Sequence, residues 1–147
     1  MSVEFYPTAK IPWSTFFTSA PPEGLTYEPN PHNERGPIGL PDACLRITNG
    51  KAYAFAWKTI PDIGQVEGGT YFELFGANVT SDMGGVLLAA VAKHLGVQLI
   101  QQYGGALLTE DGRIDSDIYD DDLIKKANAA LTAPEETPGK RPSLKQG

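Results

Sequence analysis

The chain has little of what most chemistry requires. It holds one cysteine, Cys44, and two histidines, His32 and His94, 62 positions apart. A single thiol excludes an intrachain disulfide framework, and this ligand stock forms no short-spaced zinc motif; a three-ligand zinc centre needs a carboxylate brought in by the fold. There is no Gly-x-Ser-x-Gly elbow, no Cys-x-x-Cys and no Gly-x-x-x-x-Gly-Lys loop. No apolar run approaches the roughly 20 residues of a bilayer span. Met1 to Lys10 lacks a basic stretch followed by an apolar one, as a secretory leader has. The expectation is a cytoplasmic chain with no catalytic residues, no metal and no cofactor. What is present is enough for a core: 147 residues, 41% hydrophobic and 20% charged, the size of one domain of roughly 100–150 residues.

Positive charge is the scarcer sign, and the deficit is local. Lys and Arg number 12 against 18 Asp and Glu, a net charge of −6. Glu110, Asp111, Asp115, Asp117, Asp120, Asp121 and Asp122 face one base in the same stretch, Arg113, so the rest of the chain is neutral. A concentrated negative patch repels phosphate backbones and anionic lipid, which argues against nucleic acid or membrane as partner; it attracts a basic protein surface. Solubility alone is the competing reading. Counted from Asp115, the sixth position is Asp120, where a calcium-binding EF-hand loop requires glycine.

Regular helix is improbable at the start, because eight of the 12 prolines (Pro7, Pro12, Pro21, Pro22, Pro29, Pro31, Pro37 and Pro41) fall there. The same stretch carries Trp13, Phe16, Phe17 and Tyr27, aromatics that need burial. An ordered, irregular segment over residues 1–42, wrapped on the core, is expected, with a short strand at Val3 to Tyr6.

Asn49-Gly50 lies between two β-prone runs and predicts a type I′ hairpin. A two-residue loop pairs Thr48 with Lys51, Ile47 with Ala52, Arg46 with Tyr53, Leu45 with Ala54 and Cys44 with Phe55. One face then carries Leu45, Ile47, Ala52, Ala54 and Ala56. The other carries Tyr53, Phe55 and Trp57 beside Cys44 and Arg46. Arg46 opposite Tyr53 suits a cation–π contact. The Pro-rich segment must lie somewhere, which favours its covering this row; left open, the row is a protein-binding platform of the residue types that dominate hot spots.

Thr70 to Val79 reads as the third strand of a meander. Thr80, Ser81 or Asp82 then caps a helix with Met83, Val86, Leu87, Ala90, Val91, His94 and Leu95 on its inward stripe, stopped by Gly96. That spacing makes His94 a core histidine, while His32 reads as exposed. Gly84-Gly85 serves either close packing or an anion at a helix N-terminus. Val97 to Tyr103 returns to a β pattern, Ala106 to Thr109 pairs back, and Glu110-Asp111-Gly112 turns. A second helix is expected from about Asp117 to Leu131, with Tyr119, Leu123, Ala127, Ala130 and Leu131 inward and its aspartates early, as the helix dipole favours. Residues 133–147, with Pro134, Pro138 and Pro142, read as a flexible tail.

The whole predicts one α+β domain over 1–132: a mostly antiparallel sheet, a meander with an Asn-Gly hairpin, packed by two helices on one side under an irregular Pro-rich cover. The strand Tyr71-Phe-Glu-Leu-Phe-Gly76, the helix Met83 to Leu95, the continuation Leu95-Gly-Val-Gln-Leu99 and the acidic turn Thr109-Glu-Asp-Gly112 together resemble bacterial polymorphic-toxin immunity proteins. The resemblance implies a small cytoplasmic protein that binds and neutralises a toxin without chemistry of its own. On this reading Asp115, Asp117, Asp120, Asp121 and Asp122, with Arg46, Tyr53 and Trp57, form the partner-binding surface, and the partner is a toxin with a basic surface. A phage-encoded inhibitor of a host defence system and a small hydrolase or transferase are the alternatives; for the latter no carboxylate pair, Asp115 with Asp117 included, is singled out.

Overall fold

A computed structural model describes residues 2–29, 44–59, 68–101, 105–115 and 120–132. The Pro-rich run from 30 to 43 with His32, the residues Asp117 and Tyr119, and the expected tail lie outside the described residues. Eight strands, β1 (Ser2–Pro7), β2 (Thr26–Pro29), β3 (Cys44–Thr48), β4 (Tyr53–Lys58), β5 (Thr70–Phe75), β6 (Leu99–Gln101), β7 (Leu107–Leu108) and β8 (Ile114–Asp115), form one sheet in the order β2-β3-β4-β5-β1-β6-β7-β8. Every neighbouring pair is antiparallel. With the one-turn helix α1 (Thr15–Thr18) and the longer α2 (Val86–Leu95) and α3 (Asp121–Thr132), this is an α+β fold.

The expected strand at Val3 to Tyr6 exists as β1, but it is an inner strand between β5 and β6 rather than part of a cover. Its alternation explains the place: Phe5 and Pro7 are fully buried on one face, while Glu4 and Tyr6 point to the other. The hairpin forms with its register displaced by two residues, Thr48 pairing with Tyr53, Ile47 with Ala54, Arg46 with Phe55, Leu45 with Ala56 and Cys44 with Trp57. A four-residue loop replaces the two-residue turn because the Asn49 carboxamide oxygen accepts the N–H groups of Lys51 at 2.9 Å and Ala52 at 2.8 Å. Thr48 Oγ1 also donates to the Ala52 carbonyl at 2.7 Å, and Gly50 alone takes the left-handed turn, at φ +93°. A shift of two preserves the side-chain faces.

The third strand ends at Phe75, not Val79. Gly76, at φ +63°, turns the chain into a 3₁₀ turn over Gly76–Val79, and the buried Asn78 takes over the pairing role, its Oδ1 accepting the Tyr53 N–H at 2.9 Å. One π turn over Ser81–Gly85 then leads into α2. That wider turn, with the Gly85 N–H reaching the Thr80 carbonyl at 3.1 Å, changes the helical phase. The buried side of α2 is Leu87, Leu88, Ala89, Val91 and Ala92, so the expected stripe is rotated: Val86 is 49% exposed, and Ala90 and His94 face outward. The two glycines set the phase. A Cβ on Gly84 would stand 2.2 Å from the Asn78 carbonyl oxygen, and one on Gly85 would stand 2.1 Å from that of Gly112. Close packing is therefore what Gly84-Gly85 provides. Gly96 ends the helix in the left-handed conformation, at φ +73°.

The two long helices lie on opposite faces of the sheet rather than on one. α2 closes the main core with Phe5, Leu45, Ile47, Ala54, Ala56, Phe72, Leu74 and Leu99. The N-terminal aromatics join this same core: Phe16 stacks edge-on against Tyr27 at 5.1 Å and Phe72 at 6.3 Å, with Trp13 beside it at 5.5 Å. The segment is pinned there by Thr70 Oγ1 donating to the Ile11 carbonyl at 2.9 Å and by the Trp13 N–H on the Gly68 carbonyl at 3.1 Å. α3 covers the other face over Tyr6, Ile100 and Leu107, with Ala127 buried and Leu123 and Ile124 half-buried. No helix among the described residues is long and apolar enough to cross a membrane.

Candidate functional site

The face that α3 shares is the one bearing the aromatic row. Antiparallel pairing sets side chains of directly opposed residues side by side, and two transverse rows result. One runs Glu28, Arg46, Phe55, Glu73, Glu4 across β2, β3, β4, β5 and β1. The other begins Cys44, Trp57, Tyr71, and Tyr6 continues it, its ring 6.2 Å from Tyr71 in edge contact. α3 rests on the far end of this second row, against β1 and β6.

The described part of the Pro-rich segment does not lie over this row: Trp13 and Phe16 are buried in the core on the opposite face and Tyr27 packs against that core. Tyr53, Phe55 and Trp57 are half-buried and belong to neither apolar cluster among the described residues. They pack on one another, Tyr53 to Phe55 at 5.4 Å and Phe55 to Trp57 at 6.3 Å. Phe75, 50% exposed, extends the same face. Trp57 is held in orientation by its indole N–H, which donates to Glu73 Oε1 at 2.9 Å. Arg46 stands opposite Phe55, not Tyr53, and its guanidinium is directed outward along the row, Nε donating to Glu28 Oε1 at 2.8 Å. The cation–π pairing expected with Tyr53 therefore gives way to an ion pair, the charge-assisted contact being the stronger.

Glu4 and Glu73 are directly opposed across β1 and β5. Burial, and then the neighbouring Glu73 carboxylate, push the Glu4 carboxyl above its ordinary value. Tyr71 is also raised, by burial first and then by Glu4, Glu73, Tyr6 and Cys44, so its phenol stays neutral. Cys44 is buried in this row, as a small hydrophobe would be.

The acidic segment lies elsewhere. Asp115 sits on the edge strand β8 opposite Leu107, five strand positions from β4, about 24 Å along a sheet whose strands are ~4.8 Å apart. Several of its acids have local tasks. Asp120 caps α3, its Oδ1 accepting the N–H groups of Asp122 at 3.0 Å and Leu123 at 3.3 Å. Asp121 pairs with Lys125 at 3.6 Å, and Asp111 receives Arg113 Nε at 3.0 Å and the Thr109 hydroxyl, which together hold its carboxyl below the usual value. Asp122 is exposed in the first turn of α3. Of the eight residues read as one partner surface, Arg46, Tyr53 and Trp57 share the second sheet face, Asp115 sits on the edge strand β8, Asp120, Asp121 and Asp122 lie at the start of α3, and Asp117 lies outside the described residues.

His94 is exposed at the outer side of α2, its Nε2 3.0 Å from the Ala20 carbonyl; a carbonyl only accepts, so this nitrogen carries the hydrogen. It anchors the N-terminal segment and is not a core histidine. A cleft of about 490 Å³ runs beside the second half of α2, lined by Ala92, Lys93, Val97, Leu108 and Glu110 among others.

Glu4, Glu73, Tyr71 and Phe75 were not singled out by motif. The alternation Tyr71, Glu73, Phe75 along one strand was a usable signal for three of them; nothing local points to Glu4. Compared with known proteins, the chain matches no protein-family model, no curated protein and no solved structure.

Proposed function

We propose that the chain is a non-catalytic binding protein of the immunity type, which engages a protein toxin through the part of its second sheet face that α3 leaves uncovered. The observation that carries this reading is the row Tyr53, Phe55, Trp57, continued by Phe75: aromatic rings aligned on one sheet face, the first three half-buried and Phe75 50% exposed, with Trp57 oriented by Glu73. Tyr and Trp dominate interface hot spots because a large apolar ring is immobilised at small entropic cost. The toxin-neutralising role rests on the sequence resemblance and on the absence of recognised catalytic motifs. The acidic segment becomes a contributor to association rate rather than the docking face, since capping and local pairing already occupy Asp120, Asp121 and Asp111.

Co-expression with the product of the gene directly upstream tests the reading. That product should arrest growth of a bacterial host, this chain should relieve the arrest by forming a stable complex, and Trp57→Ala should weaken the complex by about tenfold or more while the circular-dichroism spectrum is kept. Arrest that the chain does not relieve, or a complex indifferent to Trp57→Ala, refutes it.

A further inference from the structure

Resting on that binding-face reading, we propose that Glu4 and Glu73, flanked by Phe55, Trp57 and Tyr71, are the seat of a basic side chain, arginine or lysine, presented by the protein partner. Two like charges placed directly opposite across a strand pair repel, and this pair takes part in none of the ion pairs among the described residues, which join Arg46 to Glu28, Arg113 to Asp111 and Lys125 to Asp121. Arg46, the base in the same transverse row, stands two strands away from β5 and is taken by Glu28 on the next strand out, β2. Among the described residues, then, the two carboxylates stand side by side on an aromatic face with no cation paired to either. A cation is the group that such a place attracts on two counts, by the carboxylates and by the negative faces of the rings.

The geometry is prepared for it. Phe55 stands opposite Glu73 and Trp57 opposite Tyr71, so aromatic side chains flank the carboxylates within the sheet. The Trp57 indole is locked by its bond to Glu73 Oε1, which leaves the other oxygen of that carboxylate and the Glu4 carboxylate to receive a donor. A planar guanidinium matches this combination of carboxylates and ring faces best. Anionic ligands are repelled, and a second copy docking by the same patch about a two-fold axis would bring four carboxylates together. Charge complementarity thus selects a basic protein surface.

The probe is the blocked tripeptide acetyl-Gly-Arg-Gly-amide, titrated into the full ¹⁵N-labelled chain, with the citrulline tripeptide as its uncharged counterpart. The Trp57 indole N–H and the amides of Glu4 and Glu73 should shift saturably with the arginine peptide, with about tenfold weaker binding of the citrulline peptide. The variant Glu4→Gln with Glu73→Gln, which keeps an acceptor for the Trp57 indole, should abolish the response; Asp121→Asn with Asp122→Asn should leave it intact. Equal binding of the citrulline peptide, shifts confined to Asp120, Asp121 and Asp122, or no saturable shift at all overturns the seat. So does a solution mass that grows with concentration in the parent chain and stays monomeric in Trp57→Ala, which would make the occupant a second copy. The toxin complex separates the two levels. If Trp57→Ala weakens it and the double glutamine variant does not, the binding face stands and the cation seat falls; if Trp57→Ala is without effect, the binding-face reading itself falls.

Discussion

Removing the Glu4 carboxylate, which faces that of Glu73, should make the protein more stable, and only where Glu4 is charged. Glu4 is half-buried and opposes Glu73. Its carboxyl is raised above the ordinary 4.5 by burial first and by Glu73 second. The folded state therefore binds more protons than the unfolded state between the ordinary value and the raised one, so stability falls as pH rises through that interval. Above it the penalty is complete; below the ordinary value it is absent. Like charges opposed across strands cost about 0.2–1 kcal/mol, the lower part of the range applying where water screens the pair. For a chain of this size 1 kcal/mol moves Tm by about 2–4 °C, so Glu4→Gln should raise Tm by about 0.5–4 °C at neutral pH. At about pH 3.5, below both values, the variant and the parent should melt together. Calorimetric melts of the parent, Glu4→Gln, Glu73→Gln and the double variant complete a thermodynamic cycle. In the Glu73→Gln background the gain from Glu4→Gln should shrink without vanishing, because burial is the larger cause. A Glu4→Gln chain less stable than the parent at neutral pH, or equally shifted at both pH values, would refute the reasoning by showing that Glu4 has a favourable partner.

Leu88, fully buried under α2, should cost about 2–5 kcal/mol when replaced by Ala, whereas Val86→Ala on the outward side should stay within about 0.5 kcal/mol; urea denaturation distinguishes the observed helical phase from the one expected by spacing. Asp120→Ala removes the acceptor for two N–H groups at the start of α3 and should lower stability by about 0.5–2 kcal/mol, read as early loss of amide protection in α3 by hydrogen exchange.

The faces of the β3–β4 hairpin were legible in the sequence, because alternation has a period of two and the displacement of register, also two, leaves each side chain on its face. Gly96 as a helix stop was legible because a left-handed residue acts on its immediate neighbours; the start of the second helix was expected at about Asp117, whereas α3 begins at Asp121 with Asp120 as its cap. The phase of α2 was not. Spacing alone favours Val86, Ala90 and His94 inward, but Gly84 and Gly85 are pressed against the backbone of Asn78 and Gly112, residues brought there by the fold, and this packing rotates the stripe. The aromatic row had the residue types of a binding face in the sequence. That its described cover is partial followed only from the tertiary structure, where Trp13, Phe16 and Tyr27 reach Phe72 through the opposite face. The pairing of Glu4 with Glu73 was the least accessible, since it depends on β1 entering the sheet between β5 and β6. Local pattern determines which face of an element is apolar; which two polar faces meet is decided by long-range pairing, whose energy belongs to no single stretch of chain.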